Sequence, residues 1–202
     1  MHSIWQEKME FPQYPILKKD KKADIVYIGA TLEHGIEAHF QKEQGKAVMI
    51  LEKKIISMMP ELGGMGILKA RNPEEEKKLH ILQDYIEGRR IPCEMEVISR
   101  RCLWVHPVKL FLFMTEDIPV YEQSSVYERK GKRMDVGNAY VDAARIVEKG
   151  QRKDILYAHV FSKEAFFKEE SLNFEEIRTY HEFYLASSQK REFSGSFYYW
   201  EI

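Results

Sequence analysis

Apolar and polar positions alternate in blocks along the first part of this chain, and the blocks predict regular elements. Residues 25–28 and 47–51 are nearly uninterrupted apolar runs, as is typical of buried parallel strands. Between them, Leu32, Ile36 and Phe40 recur at helical spacing and would form one face of a helix on the sheet. The pattern therefore predicts a strand, a helix and a second strand, which together are a βαβ unit.

Further along, the pattern predicts one long helix and several short strands. Asn72 is a good cap, Pro73 suits a first helical turn, and Gly88 is expected to end this helix. Residues 57–72 hold too many glycines for a regular element and are predicted to form a loop. Residues 109–115 and 173–186 are predicted helices. The predicted strands are 94–99, 102–105, 118–121, 125–129, 133–136, 140–147 and 154–161.

These elements predict an α/β fold with a Rossmann-like βαβ core, a small antiparallel β-meander and a C-terminal α+β segment. The predicted division has three parts. Residues 1–22 form an N-terminal arm, residues 23–150 a dinucleotide-binding-like domain, and residues 151–202 a C-terminal segment packed on it.

The first predicted strand leads into a glycine turn, and the second ends on an acid. Gly29 and Ala30 follow the first strand, and Glu52 follows the second. In a dinucleotide-binding unit the turn and helix N-terminus hold a pyrophosphate, and the acid accepts hydrogen bonds from a ribose. The full motif has three glycines, but Thr31 and His34 stand at the second and third positions. The layout is intact while the glycines are partly replaced.

The replacements weaken the predicted phosphate site. Thr31 places a branched side chain where phosphate oxygens would sit, and His34 is bulky where the helix should approach the strand. Glu33 adds a negative charge at the same helix end. Two unit charges about 6 Å apart at an effective dielectric near 20 repel by roughly 2.8 kcal/mol. The pattern therefore favours the fold more strongly than the cofactor.

Several segments resemble FAD-dependent oxidoreductases of the glycine/D-amino-acid oxidase type. They are residues 3–5 (SIW), 24–30 (DIVYIGA), 45–52 (GKAVMILE), 91–96 (IPCEME), 106–110 (HPVKL) and 117–122 (DIPVYE). The resemblance implies FAD as cofactor, with the flavin supplying the redox chemistry. The residues that it places against FAD are Gly29, Ala30, Thr31, Glu52 and Lys53. No catalytic acid, base or nucleophile can be named from it.

The chain departs from that family in length and in its C-terminal part. Such enzymes are much longer, and residues 151–202 match nothing in them. Three functions stay open, and with them the question of whether the chain is an enzyme. The first is an FAD-dependent oxidoreductase-like flavoprotein domain with an eroded glycine motif and an unknown substrate. The second is a non-catalytic binding or interaction protein derived from that fold, with a protein partner or a second copy. The third is an S-adenosylmethionine-type methyltransferase, which shares the strand–glycine–helix–strand–acid pattern.

The amino-acid composition narrows the classes of partner that we expect this chain to bind. With 31 basic and 32 acidic residues, nothing indicates a nucleic-acid interface. The N-terminus lacks an apolar signal core, and no apolar run approaches the length that spans a bilayer. Cys93 and Cys102 are predicted to be free, buried thiols, which fits a reducing cytosol. We therefore expect a cytoplasmic protein without a membrane or nucleic-acid partner, and without a metal site because no ligand spacing is present.

Overall fold

The computed structural model describes residues 9–58 and 66–148, together with the backbone of three short strands nearer the C-terminus. The helices are α1 (Leu32–Glu43), α2 (Pro73–Arg89) and α3 (Pro107–Thr115), with a 3-10 helix at Ile56–Met58. The strands are β1 (Lys21–Ile28), β2 (Val48–Leu51), β3 (Ile67–Lys69), β4 (Met95–Ser99), β5 (Cys102–Val105), β6 (Val120–Tyr121), β7 (Glu128–Lys130), β8 (Arg133–Asp135), β9 (Tyr140–Glu148), β10 (Phe174–Glu175), β11 (Leu185–Ala186) and β12 (Trp200–Glu201).

The main sheet has the strand order β6-β2-β1-β9-β8-β7. Its four strands β6, β2, β1 and β9 are parallel, and β7, β8 and β9 form an antiparallel meander. The βαβ unit β1-α1-β2 lies at the centre of this sheet. The predicted α/β fold with a Rossmann-like core and a small β-meander is therefore confirmed.

The central strands are buried because apolar side chains cover both faces of the sheet. All four residues of β2 are buried, as are Val26 and Tyr27 of β1. Along a strand, successive side chains point to opposite faces, so Tyr27 and Ile50 join one core while Val26 and Met49 join the other. Strand β1 is therefore packed on both faces, up to the point where the glycine turn begins.

Helices α1 and α3 pack closely at a glycine. A side chain on Gly35 of α1 would bring its Cβ within 2.8 Å of Phe111 Cδ2, on α3. Real Cβ atoms do not approach other atoms so closely, so only glycine fits here. Gly35, next to the predicted third motif position, therefore serves contact between two helices.

A second sheet, of order β12-β3-β5-β4, lies beside the first. Helix α2 contributes Leu79, Leu82 and Ile86 to the same core as Leu103 of β5. Asn72 caps α2 as predicted, since its side chain accepts a hydrogen bond from the N–H of Glu75 at 2.9 Å. The β4–β5 hairpin thus lies against this helix.

Several predicted elements differ from the structure. Helix α2 passes through Gly88 and ends at Arg89. Gly88 does not end the helix because the left-handed C-cap conformation is adopted by Arg90, with a φ of 51°, two residues later. Residues 57–72 contain strand β3, which is stabilised by pairing with the distant β5. The strand predicted at 125–129 lies at Glu128–Lys130. The helix predicted at 173–186 is wrong at both ends, which form β10 and β11.

Other expectations have a different outcome. Cys93 and Cys102 are free, but each is half-buried rather than buried. The strand predicted at 154–161 and the Ser-Ile-Trp segment lie outside the described residues. The division into an arm, a domain and a C-terminal segment stays a prediction. Among the described residues, no helix combines the length and the apolar character needed to cross a bilayer.

Candidate functional site

The turn after β1 has the backbone geometry that requires glycine. Gly29 has a φ of +101°, in the region that residues with a side chain rarely adopt. Its N–H donates to the carbonyl of Leu51 at 2.7 Å, which continues the pairing of β1 with β2. The chain then turns directly into α1. Gly29 and Glu52, distant in sequence, therefore meet at the carboxyl ends of the two strands.

Glu52 connects this turn to the segment after β2 through its two carboxylate oxygens. Its Oε2 accepts the N–H of Ala30 at 2.9 Å, and its Oε1 accepts the N–H of Lys54 at 2.8 Å. The carbonyl of Glu52 also accepts the N–H of Ser124 at 2.7 Å. The residue is only 3% exposed. Its carboxylate therefore lies inside the protein as a structural acceptor.

Thr31 acts as the N-cap of α1. Its hydroxyl oxygen accepts the N–H of His34 at 3.1 Å, and its carbonyl accepts the N–H of Gly35 at 2.9 Å. A cap of this kind satisfies one of the donors that a helix start leaves open. Those donors are the groups that bind phosphate in a dinucleotide site. With Thr31 7% exposed, the cap bond is sheltered from solvent.

The side chain of His34 also contacts the turn. Its Nδ1 donates to the carbonyl of Gly29 at 2.7 Å, and its ring lies 5.4 Å from the ring of Tyr27. It is 4% exposed. A Cβ built on Gly29 would lie 3.9 Å from both His34 Nδ1 and Thr31 Cγ2, and 4.0 Å from Glu52 Oε2. Three side chains therefore converge over the glycine.

The five residues predicted to contact FAD are not all placed alike. Gly29, Ala30, Thr31 and Glu52 are brought together at the turn, whereas Lys53 is exposed beside it. The arrangement disfavours a bound pyrophosphate, because two N–H groups of the turn and helix start, those of Ala30 and His34, already have protein acceptors. Glu33 in the first turn of α1 adds a negative charge there. A pyrophosphate that used these two N–H groups would have to replace their buried contacts with Glu52 and Thr31.

Sequence patterns alone missed the structural roles of Thr31 and His34. A signal for Thr31 was present, because threonine directly before an apolar helical stripe is a common N-cap. No local signal connects the His34 ring to the Gly29 carbonyl. The hydrogen bond from the Lys54 N–H to Glu52 could not be predicted either, because a backbone N–H has no sequence signature.

Away from the turn, Cys93 and Glu94 have shifted pKa values. Burial raises the pKa of the Cys93 thiol to about 12, against a weaker opposing effect of the His106 backbone. Burial alone would raise the pKa of Glu94. Its hydrogen bond with Lys109, a backbone hydrogen bond and the charges of Lys109 and His106 together outweigh burial and keep the pKa below its ordinary value. In the part of the chain that the structure describes, no group of three or more His, Cys, Asp or Glu side chains could hold a metal.

No protein-family model matches the chain, and no curated protein matches it in sequence. Among solved structures it is similar to a glycine oxidase from Bacillus cereus, with 14% identity and a TM-score of 0.40 over 63% of this chain and 55% of that one. It is similar to an L-amino acid deaminase from Proteus vulgaris, with 13% identity and a TM-score of 0.44 over 89% and 63%. It is also similar to PqsL from Pseudomonas aeruginosa, a probable FAD-dependent monooxygenase, with 10% identity and a TM-score of 0.43 over 62% and 41%.

The chain therefore spans about half of the length of that glycine oxidase, and less of PqsL. A likeness at these identities and TM-scores supports no inference about the cofactor, substrate or activity of this chain. What the chain's own residues establish is an α/β fold with a Rossmann-like core whose glycine turn is closed by Thr31, His34 and Glu52.

Proposed function

We propose that this chain is a flavoprotein-type domain that works without bound FAD, as a non-catalytic binding or interaction protein. The observation that carries the proposal is the closure of the glycine turn by Thr31, His34 and Glu52, each more than nine-tenths buried. A partner would be another protein or a second copy of the chain. The fold then serves as a scaffold, and its ligands bind elsewhere on the surface.

The energetics of the turn support this proposal. A pyrophosphate would exchange the bonds of Ala30 and His34 for its own, and a typical bond is worth only about 0.5–1.5 kcal/mol net. It would also displace the buried ring of His34. Repulsion from Glu33, roughly 2.8 kcal/mol if the charges are about 6 Å apart, would weaken binding about a hundredfold. Little net affinity is left for FAD.

A second candidate is the FAD-dependent oxidoreductase-like domain. It is favoured by the left-handed φ of Gly29 and by the position of Glu52 at the end of β2, both of which suit a dinucleotide. In that case Gly29, Ala30, Thr31, Glu52 and Lys53 would contact FAD once the His34 side chain moves away. The S-adenosylmethionine-type methyltransferase has no such supporting observation beyond the shared strand and acid pattern.

Thermal unfolding with added FAD separates these candidates, because a ligand that binds the native state raises its apparent stability. We expect the native chain to show no shift with FAD or with S-adenosylmethionine, and to be colourless when purified. The double variant Thr31→Gly/His34→Gly opens the turn and is expected to gain a saturable shift with FAD. Glycine at position 34 costs about 1 kcal/mol of helix propensity and also removes the buried ring and its hydrogen bond with Gly29, whereas glycine at the cap costs only a few tenths.

The control is Glu37→Gly, an exposed position of α1 that carries the same helix penalty without opening the turn. A yellow preparation, or a saturable FAD shift of the native chain, would overturn the proposal in favour of the second candidate. A shift with S-adenosylmethionine would overturn it in favour of the third. If neither the native chain nor the opened variant binds FAD, the native chain still lacks flavin, but the closed turn is not the reason.

A further inference from the structure

We propose that a cavity between α2 and the β4–β5 hairpin binds the phosphate group of a small phosphorylated molecule. The cavity has a volume of about 560 Å³, within the range of small-molecule sites. It is lined by Pro73, Glu76, Lys77, His80, Ser99, Arg100 and Arg101. This site is separate from the glycine turn, and its test does not depend on whether FAD binds.

The cavity is organised by one buried acid. Glu76 of α2 is only 6% exposed, and its two carboxylate oxygens engage two different arginines. Oε1 pairs with Nε of Arg100, and Oε2 accepts Nε–H of Arg101 at 2.8 Å. Glu76 therefore ties both arginines of the hairpin to the helix and sets where their guanidinium groups lie.

Each arginine keeps free donors for a ligand. Both bind Glu76 through Nε, so the terminal NH groups of each guanidinium have no partner among the described residues. The side chains are 83% exposed for Arg100 and 54% exposed for Arg101. A guanidinium presents its donors as a planar fork that matches phosphate and carboxylate oxygens. The cavity therefore offers two such forks to an oxyanion.

The charge of the cavity matches a phosphate monoester. Lys77, Arg100 and Arg101 line the cavity together with the single carboxylate of Glu76, which leaves two positive charges when His80 is neutral. A phosphate monoester carries about −1.5 to −2 charges at neutral pH. The neighbouring acids are engaged elsewhere. Glu74 pairs with Lys78 at 3.3 Å, and Glu75 accepts the N–H of Arg71 at 2.7 Å.

A second basic cavity, of about 320 Å³, is a competing location for an anion. It is lined by Lys21, Lys22, Lys42 and Lys46, among other residues. There, the Lys42 ammonium group already contacts Asp117. It donates to the Asp117 carbonyl at 2.8 Å and lies 3.4 Å from the Asp117 carboxylate. Flexible lysines without a buried acid to orient them form a less ordered site than the arginine pair on Glu76.

Calorimetric titration of the native chain with inorganic phosphate, in chloride buffer at constant ionic strength, tests the assignment. We expect saturable binding that Lys77→Gln and Arg100→Gln each weaken about fivefold, as for the loss of roughly 1 kcal/mol. Arg100→Gln leaves Arg101 on Glu76, and circular dichroism checks that both variants stay folded. Malonate serves as a dicarboxylate probe and is expected to bind more weakly than phosphate.

Two variants remove a lysine charge outside the cavity. The double variant Glu74→Gln/Lys78→Gln removes an ion pair of the same helix without freeing Glu74, and Lys46→Gln changes the second basic cavity. Neither should change the affinity for phosphate. The assignment is overturned if phosphate shows no saturable binding, if Glu74→Gln/Lys78→Gln weakens it as much as Lys77→Gln, or if Lys46→Gln abolishes it. Tighter binding of malonate would overturn the choice of phosphate.

Discussion

The carboxylate of Glu52 accepts the backbone N–H of Ala30 at 2.9 Å, although the two residues lie 22 positions apart. This bond connects the end of β2 to the turn that follows β1. It occupies the acid that a dinucleotide-binding unit uses for a ribose. The residues of the candidate cofactor site therefore also hold the ends of two neighbouring strands together.

Replacing Glu52 with alanine is expected to lower the free energy of unfolding by about 1–3 kcal/mol. The buried N–H of Ala30 loses its acceptor, which costs about that amount, whereas the N–H of exposed Lys54 can bond to water instead. Urea unfolding followed by circular dichroism measures the change. Glu37→Ala, at an exposed position of α1, is the control and should change little. A loss below about 0.5 kcal/mol for the Glu52 variant would mean that water replaces the carboxylate.

Two glycine-to-alanine substitutions in helices should have opposite signs. Gly35→Ala places a Cβ 2.8 Å from Phe111 Cδ2, so it is expected to destabilise by about 1–3 kcal/mol through overpacking. Gly88→Ala has nothing within 4 Å and should stabilise by about 0.5–1 kcal/mol, because alanine is the better helix former. Melting temperatures of the two variants provide the comparison. An increase for both would show that Phe111 moves aside without cost.

The ion-pair cluster at Glu76 predicts a pH dependence of stability. Its hydrogen bond with Arg101, together with the charges of both arginines, keeps the pKa of Glu76 below its ordinary value of 4.5, against the opposing effect of burial. A carboxyl group with a lower pKa in the folded state stabilises the fold when ionised. This contribution is complete above the ordinary pKa and is lost as the pH falls through the folded value.

Glu76→Gln should therefore be less stable than the native chain near neutral pH. It should also lose less stability as the pH falls below 4.5, the ordinary pKa of the replaced group. Urea unfolding over a pH series measures both effects. Glu94 also has a lowered pKa and contributes to the same acid range, so only the difference between variant and native chain is assigned to Glu76. Parallel pH profiles for the two proteins would contradict the prediction.

The two thiols should be slow to alkylate in the folded protein. Burial raises the pKa of Cys93 to about 12 and also raises that of Cys102, and the thiolate is the reactive form. At about pH 8 the thiolate fraction of Cys93 is then on the order of 10⁻⁴. Iodoacetamide labelling followed by mass spectrometry should show Cys102 reacting before Cys93, and both reacting quickly in urea. Labelling of folded Cys93 at the rate of a free thiol would disprove this.

The central βαβ unit could be predicted because its signals are local. Apolar runs at 25–28 and 47–51, a helical stripe beginning at Leu32 and a glycine at position 29 each reflect the backbone geometry of neighbouring residues. The cap at Asn72 is local in the same way. Strand β3 was missed because three residues carry little pattern, and its stability comes from pairing with β5 more than thirty positions away.

The sequence by itself determined the succession of strand, helix and strand along the βαβ unit, the position of the glycine turn and the presence of an acid after β2. Only the tertiary structure decided what those residues contact. His34 lies on the carbonyl of Gly29, Gly35 makes room for Phe111, and Glu52 holds Ala30. The physical reason is that each of these contacts joins a side chain to a group on another element or turn, and only the packing of the fold brings the two close.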